Sequence, residues 1–351
     1  MTVMKISSRK VASPRGEITL VTIINDKGAS VTLSSLGAGI VEVCVPDKDG
    51  HIENVALRYA DPADYITDGP CMGKVPGRYA NRIAKGELVI DGTKYQLAIN
   101  NGPNALHGGP EGFQNQIWKT EILTDGVRFI YNSKDGEEHY PGALTASATY
   151  TWNEDNVLTL RLEADTDAPT VVNLTNHAYW NLDGADSGSV LDHEMTMHAS
   201  RYLPTDNTLI PTGEMAPVTD TPMDFTVTKT LGRDIKTTFP ALDYGKGYDA
   251  CWVVDDYTKG VLAEDVVVLH APRSGRVLKV STTQPGVQIY TGNWLAGCPN
   301  NCSGHSYADY DGVAIEAQGM PDAPHNSTFP SQLLRPSEHY DEIIRFAFGV
   351  R

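Results

Sequence analysis

Apolar and polar residues alternate with period two along most of the chain. Leu144, Ala146, Ala148, Tyr150 and Trp152 fall on one side of an extended segment. Leu158, Leu160, Leu162 and Ala164 fall on one side of the next. Successive side chains of a strand point to opposite faces, so this alternation predicts two strands with one buried face each. Asn153-Glu154-Asp155-Asn156 supplies the turn between them, and Thr159, Arg161 and Glu163 face water or a polar cleft. The arrangement recurs. Leu20 to Ile24 and Ala29 to Leu33 flank Asn25 to Gly28. Glu87 to Ile90 and Lys94 to Leu97 flank Asp91-Gly92. Val266 to His270 and Val277 to Val280 flank Pro272 to Gly275. Gly and Asn accept positive φ, which tight reversals need.

Helical periodicity is nearly absent. Pro62 to Thr67 is long enough for one or two helical turns. With 32 Gly and 21 Pro punctuating the strands, the pattern predicts an all-β chain folded as a large antiparallel β-sandwich. Length alone suggests about two domains. No linker, low-complexity stretch or repeat of fixed period divides the chain, so residues 1–351 are expected to form one domain.

Composition narrows the function classes. Apolar residues make up 40% and charged residues 21%, an ordinary globular balance. The net charge of −16 repels phosphate backbones, which argues against a nucleic-acid partner and weakens the case for a heavily phosphorylated substrate. No run of about 18 apolar residues is present, so no membrane-spanning helix is expected. Met1 to Lys10 holds no apolar stretch of signal-peptide length, which points to the cytoplasm. The five cysteines, Cys44, Cys71, Cys251, Cys298 and Cys302, are odd in number and scattered, as expected of reduced thiols.

Two segments carry candidate chemistry. In Asn173-Leu-Thr-Asn-His-Ala-Tyr-Trp180, His177 sits among Asn176, Tyr179 and Trp180. A histidine in such a setting is often just a hydrogen-bonded core residue. An ordinary imidazole titrates near ~6.5, however, and modest tuning makes it a competent proton donor. In Val313-Ala-Ile-Glu-Ala-Gln318, Glu316 and Gln318 share one strand face, and the three apolar residues before Glu316 argue for its partial burial. Burial raises a carboxyl pKa and makes a better base. One imidazole and one carboxylate facing one substrate can give and take protons together, which is what opening a sugar hemiacetal requires.

Weaker signals surround these. Asn81 and Arg82, in Gly77-Arg-Tyr-Ala-Asn-Arg-Ile-Ala84, offer an amide and a guanidinium to hydroxyl groups, though surface arginines are common. His107 precedes Gly108-Gly109, which allow close approach of the backbone to a ligand but also serve plain turns. Asp249 could grip two adjacent hydroxyls or simply form a turn before its strand. Gln288 alternates with Val287 and Ile289 and could face a cleft. Three other motifs are set aside. His193-Glu-Met-Thr-Met-His198 is one residue too long for a zinc-protease pattern and reads as a strand. Gly37-Ala-Gly39 lacks the third glycine of a dinucleotide fingerprint. Cys298, Cys302 and His305 lack standard zinc spacing and an evident fourth ligand.

Six blocks, in order, resemble the aldose 1-epimerase family: 77–86, 104–109, 173–182, 247–249, 285–293 and 314–325, and the ending at 329–342 also fits. The resemblance runs from about Ser13 to the C-terminus. It implies a supersandwich of the galactose mutarotase kind with a sugar cleft across one sheet, and interconversion of the α and β anomers of aldohexoses such as galactose and glucose. It implies Glu316 as general base and His177 as general acid, and Asn81, Arg82, His107, Asp249 and Gln288 as substrate contacts. It implies no metal or organic cofactor, an aldose as the partner, and a monomer or homodimer. Leu295 to Tyr310 falls outside the family pattern and lies between Gln288 and Glu316; Ala250 and Cys251 also depart from it. Three alternatives remain open at this point. A glycoside hydrolase would use Asp249 and Glu316 as its carboxylate pair. A hexose-6-phosphate mutarotase needs a basic pocket, and a non-catalytic sugar-binding protein needs no proton shuttle.

Overall fold

The computed structural model describes residues 4–66 and 68–351. Three antiparallel sheets account for most of the strands. The first is a five-stranded meander: Lys5–Ser13, Gly16–Ile24, Ser30–Ser34, Gly39–Pro46 and Ile52–Asn54. The second has nine strands, with Leu144–Trp152, Val157–Thr166, Tyr340–Val350 and Arg276–Thr282 adjacent at its centre. The third has six, ordered Tyr179–Trp180, Val313–Gln318, Gly286–Tyr290, Asp249–Val253, Arg201–Tyr202 and Ala216–Pro217.

The alternation read along 144–164 is the packing pattern observed. Tyr150 pairs with Leu160 across the hairpin, and Leu158, Leu160 and Leu162 are wholly buried while Arg161 is exposed. Each such side chain is worth roughly 1.5–3 kcal/mol when buried, so a one-residue slip that turned all of them outward would be prohibitive. The Glu87–Ile90 and Thr93–Gln96 strands are joined by Asp91 and Gly92 at φ 50° and 80°, the two positive values of a type I′ turn. The core draws on all three sheets: Val31, Leu160, Ile344, Val287 and Ile315 belong to one cluster.

Helix is scarce, as the sequence indicates. Pro62–Tyr65 forms a 3-10 turn, capped by the Asp61 carboxylate accepting from the Ala63 N–H at 2.8 Å; Thr67 lies outside the described residues. Pro240–Gly245 is a short α-helix. Glu194–Met197 is a strand, as read from the sequence. All five cysteines are free thiols.

One expectation needs correcting. Glu316 is buried more fully than its own strand suggested, at 2% exposure, and all six residues of Val313–Gln318 are buried. The strand lies inside its sheet. Ile315 and Ala317 pack into the main core on one face, and the walls of a cleft cover the other.

Candidate active site

The register of the six-stranded sheet places the polar side chains. Glu316 is the cross-strand partner of Gln288, and Tyr290 is the partner of both Ala314 and Asp249. Directly opposed residues share a face. Glu316 and Gln288 therefore form one row, and Asp249 and Tyr290 the next, with Tyr179 beside Ala314 at its end. Gln288 bridges the rows by donating from Nε2 to Asp249 Oδ1 at 2.6 Å.

His177 arrives on a segment stitched across the fold. Asn173 donates to the Ala80 carbonyl at 3.0 Å and accepts from the Gly319 N–H at 2.8 Å. Thr175 Oγ1 donates to the Ala317 carbonyl at 2.7 Å, and Asn176 Nδ2 donates to the Gly73 carbonyl at 2.7 Å. The polar residues of this motif thus tie the histidine to the strand that bears Glu316. The outcome is His177 Nε2 at 3.5 Å from Glu316 Oε1, with both side chains nearly inaccessible.

Asn81, Arg82 and His107 come together through the short pairing of Arg82–Ile83 with Ala105–Leu106. Asn81 and His107 stand at φ 65° and 52°, and they bond reciprocally. The His107 N–H donates to the Asn81 carbonyl at 3.1 Å, and the Asn81 N–H donates to His107 Nδ1 at 3.1 Å. That second bond leaves the ring hydrogen of neutral His107 on Nε2. Gly108 has a different task from the one read in the sequence. A Cβ there would come within 2.0 Å of the Gly77 carbonyl oxygen, so the close approach is to protein backbone and not to a ligand. Arg82 donates to Asn101 Oδ1 at 3.1 Å and lies 3.9 Å from Asp249 Oδ2.

All seven residues singled out from the sequence line one cleft of about 640 Å³. Sequence reasoning missed its aromatic members. Tyr290 stands two residues beyond Gln288 and Tyr179 two beyond His177, so the same period of two could have found both. Trp294 and Tyr244 complete the rim, and both are exposed. No periodic signal marks them.

Burial dominates the electrostatics. It lowers the His177 pKa to about 4, helped by the Lys74 charge. It raises Glu316 well above the usual carboxylate range, with Asp249 adding to the rise and Arg82 opposing it. Burial, then His177 and Arg82, keep His107 neutral. Asp249 is raised by burial against the pull of Arg82 and Gln288. Burial therefore favours the neutral acid and the neutral imidazole over the carboxylate and imidazolium pair. The two forms hold the same single proton. Moving it across 3.5 Å converts one to the other, so either form of the pair holds the proton that acid–base exchange needs. Glu316 Oε2 and His177 Nδ1 have no hydrogen-bond partner although both are buried. Buried polar atoms without partners are costly, and such atoms in a cleft are available to a ligand.

His107, His177 and Glu316 bring potential ligand atoms within 4.8 Å of one another, near enough to raise the question of a metal. The donor set does not suit one. His107 Nδ1 already accepts from the backbone, so its Nε2 carries hydrogen and lacks the free lone pair a metal needs.

Known proteins share this chain's sequence and fold. The sequence matches the aldose 1-epimerase family over residues 19–347. The chain belongs to that family. It is 42% identical to the galactose mutarotase of Homo sapiens over 321 residues, 91% of either chain. It is 35% identical to the aldose 1-epimerase of Escherichia coli (strain K12) over 332 residues, 94% of either chain. Among solved structures, the galactose 1-epimerase of Lactobacillus acidophilus NCFM superposes with a TM-score of 0.85 at 27% identity, over 99% of both chains. An aldose epimerase homologue from C. elegans gives a TM-score of 0.84 at 30% identity, also over 99% of both. Among the described residues of this epimerase, no helix is long and apolar enough to cross a membrane.

Proposed function

We infer that the protein interconverts the α and β anomers of free aldohexoses, galactose and glucose among them, by acid–base opening and reclosure of the pyranose ring. The family membership supports the reaction. The observation that carries the roles is the pair of buried, unsatisfied groups 3.5 Å apart in a sugar-sized cleft.

In the opening direction Glu316, as carboxylate, takes the proton of the anomeric hydroxyl while His177, as imidazolium, gives one to the ring oxygen. The ring opens to an aldehyde, the bond beside it rotates, and the other face is presented. Glu316 is now the acid and His177 the neutral base, which is the protonation that burial favours in the resting site. Reclosure runs through the same two groups with roles exchanged. Each supplies roughly 10²–10⁴-fold, about 3–5 kcal/mol of barrier, enough for a reaction that already proceeds slowly in water. His107 Nε2–H is a donor for a substrate oxygen. Asn81, Arg82, Asp249 and Gln288 hold the remaining hydroxyls.

A phosphorylated sugar is disfavoured because Arg82 is the single Lys or Arg among the described residues lining the cleft. A hydrolase pair is disfavoured because Asp249 is tied to Gln288 and faced by Arg82, an arrangement suited to gripping hydroxyls. The reading extends to residues 1–351 acting as one domain, in the cytoplasm, as a monomer or homodimer. The test is polarimetry of freshly dissolved α-galactose. Faster relaxation to an unchanged final rotation supports the reading. No acceleration with galactose, glucose, xylose or arabinose overturns it.

A further inference from the structure

A buried ion pair lies behind the catalytic histidine, outside the cleft. The side chains of Lys74 and Asp68 are 1% and 0% exposed. The Lys74 ammonium meets the Asp68 carboxylate and donates to the Tyr65 carbonyl at 2.7 Å and to Asn115 Oδ1 at 3.2 Å. Asp68 Oδ2 accepts from the Tyr59 hydroxyl at 3.1 Å and from the Met72 N–H at 2.8 Å. Removing two charges from water costs about as much as their attraction returns, so such a pair does little for stability by itself. Its position suggests another purpose. The His177 N–H donates to the Lys74 carbonyl at 2.9 Å, and the Gly73 N–H donates to the His177 carbonyl at 3.0 Å. Lys74 is thus the backbone neighbour of His177, and its side chain anchors that neighbour to Tyr65 and Asp68.

We propose that Lys74, clamped by Asp68, is a positioning residue for His177, holding the imidazole through the shared backbone and biasing its proton through a buried charge. The proposal rests on the acid–base reading of His177 above. Around the ring stand Glu316 at 3.5 Å, His107 with ring centres 5.3 Å apart, Tyr179 at 5.1 Å and Tyr290 at 6.3 Å. Arg82 and Asp249 act on Glu316, and Cys71 lies near both Lys74 and Glu316. Lys74 is the cation whose charge opposes protonation of His177.

The sign of the effect distinguishes a charge from mere packing. Asp68→Asn leaves the Lys74 charge uncompensated, so His177 should be harder to protonate. The double variant K74M/D68N removes both charges without leaving either one buried alone, so it is the fold-safe variant. There His177 should be easier to protonate. The experiment is an NMR titration of ¹⁵N-histidine-labelled protein, wild type and both variants, alongside the pH profile of kcat/KM for α-galactose. The expected result is a His177 midpoint moved up by about one pH unit in the double variant and down in Asp68→Asn. The acid limb of kcat/KM should move the same way. An unmoved midpoint in a folded double variant, or shifts of the same sign in both, would overturn the proposal. Shifts of opposite sign in a protein that does not accelerate mutarotation would support the coupling while removing the functional reading.

Discussion

The floor and the rim of the cleft are built on opposite physical terms. On the floor, Glu316, Gln288, His177 and Asn81 are each 5% exposed or less and sit on sheet rows or on segments pinned by side-chain bonds. On the rim, Trp294 is 65% exposed and Tyr244 42%. Trp294 is propped by Lys246, whose ammonium stands 4.4 Å from the indole and 2.6 Å from Asp309. Asp309 belongs to the segment outside the family pattern. Low dielectric makes proton affinities tunable on the floor, and exposure leaves the rim with ordinary contact energies. Rate should therefore depend on the floor, and the rim should adjust only how a sugar is held.

The sharpest way to break that contrast is His177→Asn. It should lower kcat by about 10²–10⁴-fold while the thermal unfolding midpoint stays close to wild type. Near-normal turnover in a folded variant would move the proton chemistry elsewhere. The pH profile comes next. Below the low His177 pKa of about 4 the pair takes up a second proton, and above the raised Glu316 pKa it loses the one it shares. kcat/KM should therefore hold a plateau that falls on the acid side near 4 and on the basic side well above an ordinary carboxylate. An acid limb centred near ~6.5 would mean an ordinary imidazole and contradict the burial argument. Asp249→Asn should act on binding, raising KM for galactose by about 10–100-fold, the worth of a hydrogen bond to a charged group. An unchanged KM would remove Asp249 from the contact set. Trp294→Ala should do least. A single exposed contact to a neutral sugar is worth about 1 kcal/mol, so KM should change by no more than about fivefold and kcat should stay the same. A large fall in kcat there would erase the distinction between floor and rim.

The floor was largely legible in the sequence, because alternation fixes which residues share a face. Glu316 with Gln318, Gln288 between Val287 and Ile289, and the hairpin from Leu144 to Ala164 all followed from period two. Tyr290 and Tyr179 were within reach of the same rule. Protonation was not legible, because it depends on how many layers cover a strand, and Val313–Gln318 is covered on both faces. Lys74 was hidden for a related reason. Lysine is almost never fully buried, so sequence reasoning assigns it to the surface unless its partner is seen. Asp68 lies six positions away on an irregular segment, where no periodicity points to it. The rim was opaque because Trp294 and the 295–310 segment follow no repeating pattern.

The most direct test of the central claim compares wild type with Glu316→Gln in the mutarotation of fresh α-galactose, at equal protein concentration and with unfolding midpoints measured on the same samples. Glutamine keeps the shape of the side chain but cannot take the proton. The account predicts that wild type speeds relaxation to an unchanged final rotation, and that the folded variant loses at least about 10²-fold of that acceleration. A folded Glu316→Gln protein that matched wild type would contradict it.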